Sequence, residues 1–276
     1  MTNDLTANNS PISLSLQAER LAFDDFTLFE GVELELPAGA WTCLLGPSGV
    51  GKTTLLRLLA VETEPTSGTI ECEGKPIDSF SRNRKYLEVG LMHQQLDLVP
   101  QLSARKNIEA GNSGRWSIFR TLASLLLPVH DNASHDVAEA IGIAEYLNDR
   151  TSVLSGGQQQ RVALCRLLVQ SPKLHLADEP VSSLDPVLTD KVLKILCGIH
   201  ELPGCHVNSV VANLHSPDLA IKHFDRIIGL HDGTIRFDKP ATQVTEDDVE
   251  FTYEDESDIP RVVDPSPNIK SNWGRH

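Results

Sequence analysis

The chain has 276 residues, of which 40% are hydrophobic and 22% charged, a balance typical of a globular protein with one large domain or two small ones. Its formal net charge of −14 argues against nucleic acid as a partner, because no long basic segment offsets the acidic excess. No secretory signal is recognisable at the start of the chain, and no apolar run is long enough to span a bilayer. We therefore expect a cytoplasmic protein whose association with a membrane depends on a partner.

The first part of the chain predicts a short tail followed by strands. Residues 1–11 are rich in Asn, Thr and Ser and are expected to be a disordered N-terminal tail. Alternating apolar and polar residues predict strands over 12–21 and 28–36, and residues 69–74 predict a further short strand and turn. These strands indicate an antiparallel sheet that flanks a nucleotide-binding core.

The clearest chemical motif lies between a strand and a helix. Residues 46–54 read G-P-S-G-V-G-K-T-T, and they follow the apolar run 41–45 and precede the helix-forming run 55–60, which is the context of a phosphate loop. Glycines let backbone N–H groups converge on one anion, and the helix start adds its positive dipole end. Lys52 would reach the β- and γ-phosphates, and the Thr53 hydroxyl would bind Mg²⁺. The predicted nucleotide-binding residues of this loop are Gly46, Pro47, Ser48, Gly49, Val50, Gly51, Lys52, Thr53 and Thr54. The alternative is a Gly-rich turn with a solvated lysine.

An aromatic residue upstream of the phosphate loop is a candidate for base recognition. Phe23 precedes the polar pair Asp24 and Asp25 and could stack on an adenine ring. The alternative is that Phe23 belongs to the core and that Phe26 is the exposed ring. The spacing of the two residues does not decide between these interpretations.

The middle of the chain predicts a helical insertion. Over residues 95–171 the pattern becomes helical, with separate helices expected at 103–109, 116–127 and 137–143. Residues 154–161, which read L-S-G-G-Q-Q-Q-R, open a further helix. We therefore expect a helical subdomain inserted into an α/β domain.

A pair of carboxylates follows the next apolar strand. Residues 173–177 predict that strand, and it ends at Asp178 and Glu179. Ligands of parallel sheets bind beyond the carboxyl ends of the strands, so both carboxylates should face the phosphate loop. Asp178 would hold Mg²⁺ directly or through water, and Glu179 would polarise the attacking water. The alternative is a solvated acidic turn.

The last third of the chain predicts the rest of the core and a tail. A helix is expected over 187–199, a strand over 207–214 that ends at His215, and a strand pair over 226–237. From Thr245 onward the chain is acidic and then rich in Pro, Ser and Asn, which predicts a loosely packed tail. The resulting division is 1–11 N-terminal tail, 12–94 and 172–245 α/β core with its β-subdomain, 95–171 helical subdomain, and 246–276 acidic C-terminal tail.

These motifs together resemble one family, the nucleotide-binding subunits of ABC transporters. From residue 12 to about residue 244 the family's motifs occur in its order: the phosphate loop, the Q-loop at Gln94, the signature at 154–161, the acidic strand end at 178–179, the D-loop at 183–185 and the H-switch at His215. The signature distinguishes this family from other phosphate-loop proteins, since phosphate loops also occur in kinases, GTPases and helicases. The resemblance implies an α/β P-loop NTPase (RecA-like) core with a flanking antiparallel β-subdomain and an inserted helical subdomain.

The resemblance also implies roles for individual residues around ATP and Mg²⁺. Glu179 is the catalytic base, and His215 stabilises the γ-phosphate. Gln94 contacts Mg²⁺ and the attacking water and senses the membrane partner. Phe23 is the ring that stacks on adenine, and Lys52 binds phosphate.

A second copy of the chain is expected to complete the ATP site. The turn that opens the signature helix is an anion site in its own right, and it lies on the helical insertion, away from the chain's own phosphate loop. The resemblance implies that this turn binds the γ-phosphate of ATP held by the second copy, and that Asp185 lies at the seam between the copies. The residues expected to reach across are Ser155, Gly156, Gly157 and Gln158. The alternatives are an ordinary helix cap for the turn and a buried or surface histidine for His215. If Ser155 lay beside Lys52 of its own subunit, this interpretation would fail.

Further similarity to phosphonate-importer ATPases indicates which kind of transport system the chain would serve. Residues 158–160, 177–186, 213–215 and 226–230 are similar to that group, and residues 113–122 resemble its insertion after the Q-loop. This similarity implies uptake of a phosphonate or a related oxyanion such as phosphate or phosphite. Thiamine and polar amino-acid importers are alternatives, as are a soluble ABC-type ATPase that acts on ribosomes or DNA and a kinase.

The implied partners are the membrane permease subunits and, indirectly, a solute-binding protein. The chain would then be peripheral on the cytoplasmic face of the inner membrane. Trp116, Phe119 and Leu122 have helical spacing and would form either the groove that receives a permease helix or the core of the helical subdomain.

Overall fold

The computed structural model describes residues 12–23, 26–63, 65–77, 88–112, 132–199, 202 and 205–253. Its strands are β1 (Leu14–Phe23), β2 (Phe26–Leu36), β3 (Trp41–Leu45), β4 (Ser67–Cys72), β5 (Lys75–Pro76), β6 (Val89–Met92), β7 (Leu174–Asp178), β8 (Ser209–Asn213), β9 (Arg226–His231) and β10 (Thr234–Pro240). Its α-helices are α1 (Lys52–Leu59), α2 (Ala104–Glu109), α3 (Asn132–Ile141), α4 (Gly156–Gln170), α5 (Pro186–Leu196), α6 (Pro217–His223) and α7 (Glu246–Tyr253).

The first sheet is antiparallel, as the alternating sequence predicts. Its strand order is β2-β1-β4-β5, and Leu14 and Leu16 of β1 lie opposite Leu36 and Leu34 of β2. All four leucines are buried, because alternate residues of a strand point to the same face. This sheet therefore covers one side of the nucleotide-binding core with an apolar surface.

The second sheet is mostly parallel and places three strand ends side by side. Its order is β10-β9-β3-β8-β7-β6, with parallel pairing from β9 to β6 and an antiparallel β10 at the edge. β7 and β8 are buried along their whole length, which is typical of parallel strands covered on both faces. The loop after β3, Asp178 at the end of β7 and Asn213 at the end of β8 consequently share one edge of the sheet.

The helical insertion is present where the sequence predicts it. α2 and α3 pack against α4, and this subdomain shares one hydrophobic core with β3, β7 and β8. α2 begins after Ser103, whose hydroxyl oxygen accepts a hydrogen bond from the Lys106 N–H group. The predicted helix over 116–127, with Trp116, Phe119 and Leu122, lies outside the described residues. None of the helices in the described part of the chain is long and apolar enough to cross a membrane.

The prediction of a loosely packed tail from Thr245 onward is wrong for residues 246–253. These residues form α7. Thr245 caps the helix, because the Asp248 N–H group donates to Thr245 Oγ1 at 3.2 Å and Asp248 Oδ2 accepts from the Thr245 N–H group at 2.9 Å. A salt bridge of 2.6 Å from Lys239 Nζ to Asp248 Oδ1 ties the first turn to β10. The acidic residues therefore start a helix, where negative charge is favoured by the helix dipole.

Candidate nucleotide-binding and hydrolysis site

The phosphate loop connects β3 to α1 and depends on glycines at crowded positions. Gly46, Gly49 and Gly51 all have positive φ, at 150°, 84° and 106°. A β-carbon on Gly46 would lie 2.3 Å from the Leu230 carbonyl oxygen, and one on Gly51 would lie 2.6 Å from the Phe29 ring. Other residue types are therefore excluded at both positions. The loop is held between β9 and the antiparallel sheet.

Lys52, the first residue of α1, lies inside the curve of the loop. Its Nζ donates hydrogen bonds to the carbonyl oxygens of Gly46 at 2.7 Å and Pro47 at 2.9 Å. Burial lowers the pKa of Lys52, and the negative charges of Glu179 and Asp178 oppose that effect. The ammonium group is thus held by two backbone oxygens, which phosphate oxygens could replace.

Asp178, at the end of β7, is a buried carboxylate that is 2% exposed. Hydrogen bonds from the side chains of Thr53 and Asn213 hold it in place. Burial raises the pKa of Asp178, and those two hydrogen bonds and the charge of Lys52 oppose the rise. A carboxylate and a hydroxyl are therefore in contact at the start of α1, and both are oxygen ligands of the kind that Mg²⁺ prefers.

Glu179 follows in a strained backbone conformation that directs its carboxylate toward His215. Its φ of 51° lies in the left-handed region, which is costly for a residue with a side chain. Side chains of three other residues hold it in this conformation. Glu179 N–H donates to Asn213 Oδ1 at 2.5 Å, and Gln160 Nε2 donates to the Glu179 carbonyl oxygen at 2.7 Å. His215 Nε2 lies 2.6 Å from Glu179 Oε1. A backbone outlier held from several sides at a carboxylate is typical of a reactive site.

An open cavity joins these groups. Its lining comprises Ser48, Gly49, Gly51, Lys52, Thr53, Thr54, Arg57, Gln94, Glu179, Asn213 and His215. Gly46 and Pro47 contribute the carbonyl oxygens beneath Lys52, and Val50 is buried behind the loop. The structure therefore brings together most of the site residues that the sequence predicts. The side chain of Phe23 lies outside the described part of the structure.

The signature segment is separate from this cavity. Among the described residues, none of 154–161 contributes to the cavity lining. Ser155 caps α4, since its Oγ accepts from the Gln158 N–H group at 3.3 Å and its own N–H group donates to Gln158 Oε1 at 2.8 Å. The turn is thus a helix cap, and Ser155 and Gly156 are exposed. Ser155 does not close the pocket of Lys52 in its own chain.

The side chain of Gln160 connects α4 to Glu179 and to the segment that follows it. Gln160 Oε1 accepts from the Ser183 N–H group at 3.0 Å, and its Nε2 donates to the Glu179 carbonyl oxygen.

Asp185 caps α5, because its Oδ1 accepts from the N–H groups of Val187 and Leu188, both at 3.0 Å. Asp185 therefore has a local structural function in the single chain.

Sequence reasoning missed Asn213, Arg57 and Gln160. Asn213 was recognisable as a polar residue at the end of an apolar strand, directly before Leu214 and His215. Arg57 follows Lys52 on α1 and lines the same cavity. Gln160 lies within the predicted signature, but its contacts could not be predicted because its partners Glu179 and Ser183 are distant in sequence.

A glycine loop between a strand and a helix, with a buried carboxylate at the end of a neighbouring parallel strand, defines a P-loop nucleoside triphosphatase core. The family model for ABC transporters matches residues 29–182. The chain is 38% identical over 266 residues to the phosphonates import ATP-binding protein PhnC 1 of Pseudomonas savastanoi pv. phaseolicola, covering 94% of this chain and 97% of that protein. It is 40% identical over 260 residues to the protein of the same name from Pseudomonas syringae pv. tomato, covering 91% and 96%.

A solved structure supports the same assignment of fold and family. An ATP-binding cassette solved as a dimer in a post-hydrolysis state, bound to ADP and phosphate, is 26% identical, with a TM-score of 0.68 over 83% of this chain and 98% of that one. The chain belongs to the ABC transporter family and is an ATP-hydrolysing cassette. The family resemblance and the predicted fold class are confirmed by these matches.

Proposed function

We propose that the chain is the ATP-binding and ATP-hydrolysing subunit of an importer that energises uptake of a phosphonate or a related oxyanion through a membrane permease. The transported solute is inferred from the names of relatives that align along nearly the whole chain. The observation that carries the mechanism is the position of the signature turn outside the cavity of its own subunit. A site that needs a second copy for completion couples nucleotide binding to closure of a dimer.

Nucleotide binding would begin with an exchange of partners at Lys52. Its ammonium group leaves the carbonyl oxygens of Gly46 and Pro47 for the β- and γ-phosphates, and the loop N–H groups and the α1 dipole bind the same phosphates. The exchange is favourable because the ammonium group gains a charge–charge attraction to the phosphates that the two neutral carbonyl oxygens do not provide. Phe23 would stack on the adenine.

Mg²⁺ would be held by Thr53, Asp178 and Gln94. The hydroxyl and carboxylate that meet below the cavity fit this ion, which takes few protein ligands and completes its shell with water and phosphate oxygens. Bound Mg²⁺ would neutralise charge on the phosphates.

Hydrolysis would use Glu179 and His215 as a pair. The water oxygen attacks the γ-phosphorus, the bond to the bridging oxygen breaks, and the Glu179 carboxylate takes the proton from the water. Before ATP binds, His215 Nε2 lies 2.6 Å from Glu179 Oε1, so a protonated Nε2 would donate its hydrogen bond to this carboxylate. On ATP binding the His215 ring would turn its hydrogen bond to a γ-phosphate oxygen and keep its proton, which frees Glu179 to face the water.

The second copy would supply the remaining contacts. Ser155, Gly156, Gly157 and Gln158 at the start of α4 would bind the γ-phosphate held by the partner, and Asp185 would lie at the seam. Removal of the γ-phosphate ends that bridge and lets the pair open. The permease subunits would use this cycle on the cytoplasmic face of the inner membrane, with a solute-binding protein as an indirect partner.

Glu179→Gln tests the mechanism. We expect it to lower hydrolysis at least about 100-fold, because a general base contributes about 10²–10⁴ in rate. Size-exclusion chromatography should show a dimer with Mg-ATP and a monomer with Mg-ADP. The control is the double variant Lys52→Ala/Glu179→Gln, which should stay monomeric because it cannot bind the phosphates. A Glu179→Gln chain that binds Mg-ATP and remains a monomer would contradict the proposal.

The solute is tested in cells that carry this variant in place of the native gene. Growth on methylphosphonate as the only phosphorus source should be lost, and growth on excess phosphate should be unchanged. Normal growth on methylphosphonate would overturn the phosphonate assignment. Loss of thiamine uptake instead would favour the alternative importer.

A further inference from the structure

Helix α7, the last helix in the described part of the chain, is fastened to the β9–β10 hairpin along its length. At its start Asp248 is paired with Lys239 of β10. Nearer its end the Arg236 guanidinium carbon lies 5.3 Å from the centre of the Phe251 ring, a cation–π contact. The helix thus has a fixed position relative to β9, the strand that pairs with β3, from which the phosphate loop begins.

The last turn of α7 reaches that loop. His231 Nδ1 lies 2.9 Å from the Thr252 carbonyl oxygen, and Thr252 is fully buried. The next residue, Tyr253, accepts a hydrogen bond through its hydroxyl oxygen from the Gly46 N–H group, at 3.3 Å. The two residues are separated by 207 positions in the chain, so this contact exists only because α7 is packed as described.

Gly46 is held on three sides. Its Cα faces the Leu230 carbonyl oxygen too closely for any side chain, its carbonyl oxygen accepts from Lys52 Nζ, and its N–H group donates to Tyr253. When Lys52 moves to a phosphate, the carbonyl side of Gly46 loses its donor. The Tyr253 hydroxyl then becomes the side-chain contact that keeps the first peptide of the loop in orientation.

We propose that Tyr253 is a positioning residue of the nucleotide site, through which α7 fixes the phosphate loop in its binding conformation. The inference depends on the proposed ATP-binding function of the same loop. Without the hydroxyl the loop populates other conformations, and the apparent affinity falls in proportion to the fraction that can bind. We expect the chemical step to be unaffected, because the Tyr253 hydroxyl meets the backbone of Gly46, whereas the Glu179 carboxylate meets His215.

The test is Tyr253→Phe in the full chain, which keeps the ring and removes only the hydroxyl. We expect Kd and KM for Mg-ATP to rise about 2- to 12-fold, the equivalent of one net hydrogen bond, and kcat to stay within about twofold. Tyr146→Phe is the matched control, because it removes the hydroxyl of a half-buried tyrosine of the helical subdomain. Phe251→Ala, which loosens the contact of α7 with Arg236, should raise KM in the same direction.

The outcomes separate this inference from the proposed function. A Kd for Tyr253→Phe equal to that of Tyr146→Phe would overturn the role of Tyr253 and leave the ATPase function intact. A fall in kcat with unchanged KM would also overturn it, since positioning of the loop acts on binding. If the wild-type chain fails to bind Mg-ATP, the proposed function is overturned and this inference with it.

Discussion

Asn213 offers the sharpest test of how the two carboxylates are held. It is 1% exposed, its amide nitrogen donates to Asp178 Oδ1, and its oxygen accepts from the Glu179 N–H group at 2.5 Å. Asn213→Leu removes both hydrogen bonds and keeps the number and branching of the side-chain heavy atoms. Each buried group left without its partner costs about 1–3 kcal/mol, and Asp178 keeps its bond from Thr53, so we expect a loss of about 2–4 kcal/mol in the free energy of unfolding.

Asn213→Asp is a finer variant at the same position. It keeps an acceptor for the Glu179 N–H group and places a second carboxylate against Asp178. Like charges in contact raise the folded-state pKa of such a pair above its unfolded value, so the penalty grows as pH rises through the acidic range and is relieved as pH falls. The stability deficit of Asn213→Asp should therefore be larger at pH 8 than at pH 5.

Urea unfolding followed by circular dichroism measures both variants without nucleotide. The control is Asn208→Leu, because in the described structure the side-chain nitrogen of Asn208 has no hydrogen-bond partner. We expect that control to change the free energy of unfolding by less than about 1 kcal/mol. An Asn213→Leu chain as stable as the control would refute the bridging role of Asn213, and a pH-independent deficit in Asn213→Asp would refute contact with an ionised Asp178.

Two further substitutions test the surroundings of the site. A β-carbon on Gly157 would lie 2.8 Å from the Ser183 carbonyl oxygen, whereas one on Gly156 would meet open space. Gly157→Ala should therefore destabilise the chain by about 1–2 kcal/mol, and Gly156→Ala should stabilise it by about 0.4–1 kcal/mol. Thermal unfolding measures both changes. Equal effects would contradict the packing of α4 on the D-loop. Because burial raises the pKa of Asp178, its ionisation costs stability as pH rises; Asp178→Asn should therefore raise the melting temperature more at pH 8 than at pH 4 while abolishing Mg²⁺-dependent ATP binding. An increase in melting temperature that is equal at both pH values would contradict a stability cost of ionising Asp178.

The sequence predicts the parts of this site that are local in the chain. The phosphate loop needs glycines where backbone and rings approach closely, as at Gly46 and Gly51, and that need is visible in a short motif. The acidic pair Asp178 and Glu179 is visible for a similar reason, because it ends an apolar strand. The cap at Ser155 is equally local, since its partner Gln158 is three residues away.

Contacts between distant residues could not be found in this way. Asn213 meets Asp178 because β7 and β8 are neighbours in register, and strand order is not written in either strand. Tyr253 meets Gly46 across almost the whole chain. The error at α7 has a different cause: Thr245 and Asp248 have the spacing of a capping box, and that local signal was outweighed by the overall acidity of the segment.

The amide of Gln160 has a consequence for how a pair of such subunits would operate. It contacts the backbone on either side of the turn after β7, at the Glu179 carbonyl oxygen and the Ser183 N–H group, and it belongs to the same helix whose tip points outward. A tilt of α4, as its tip docks on a second copy, would therefore displace Glu179, the proposed general base of its own subunit. In a pair of such subunits, ATP bound at one site would influence the general base of the other site, so the two sites would hydrolyse ATP cooperatively.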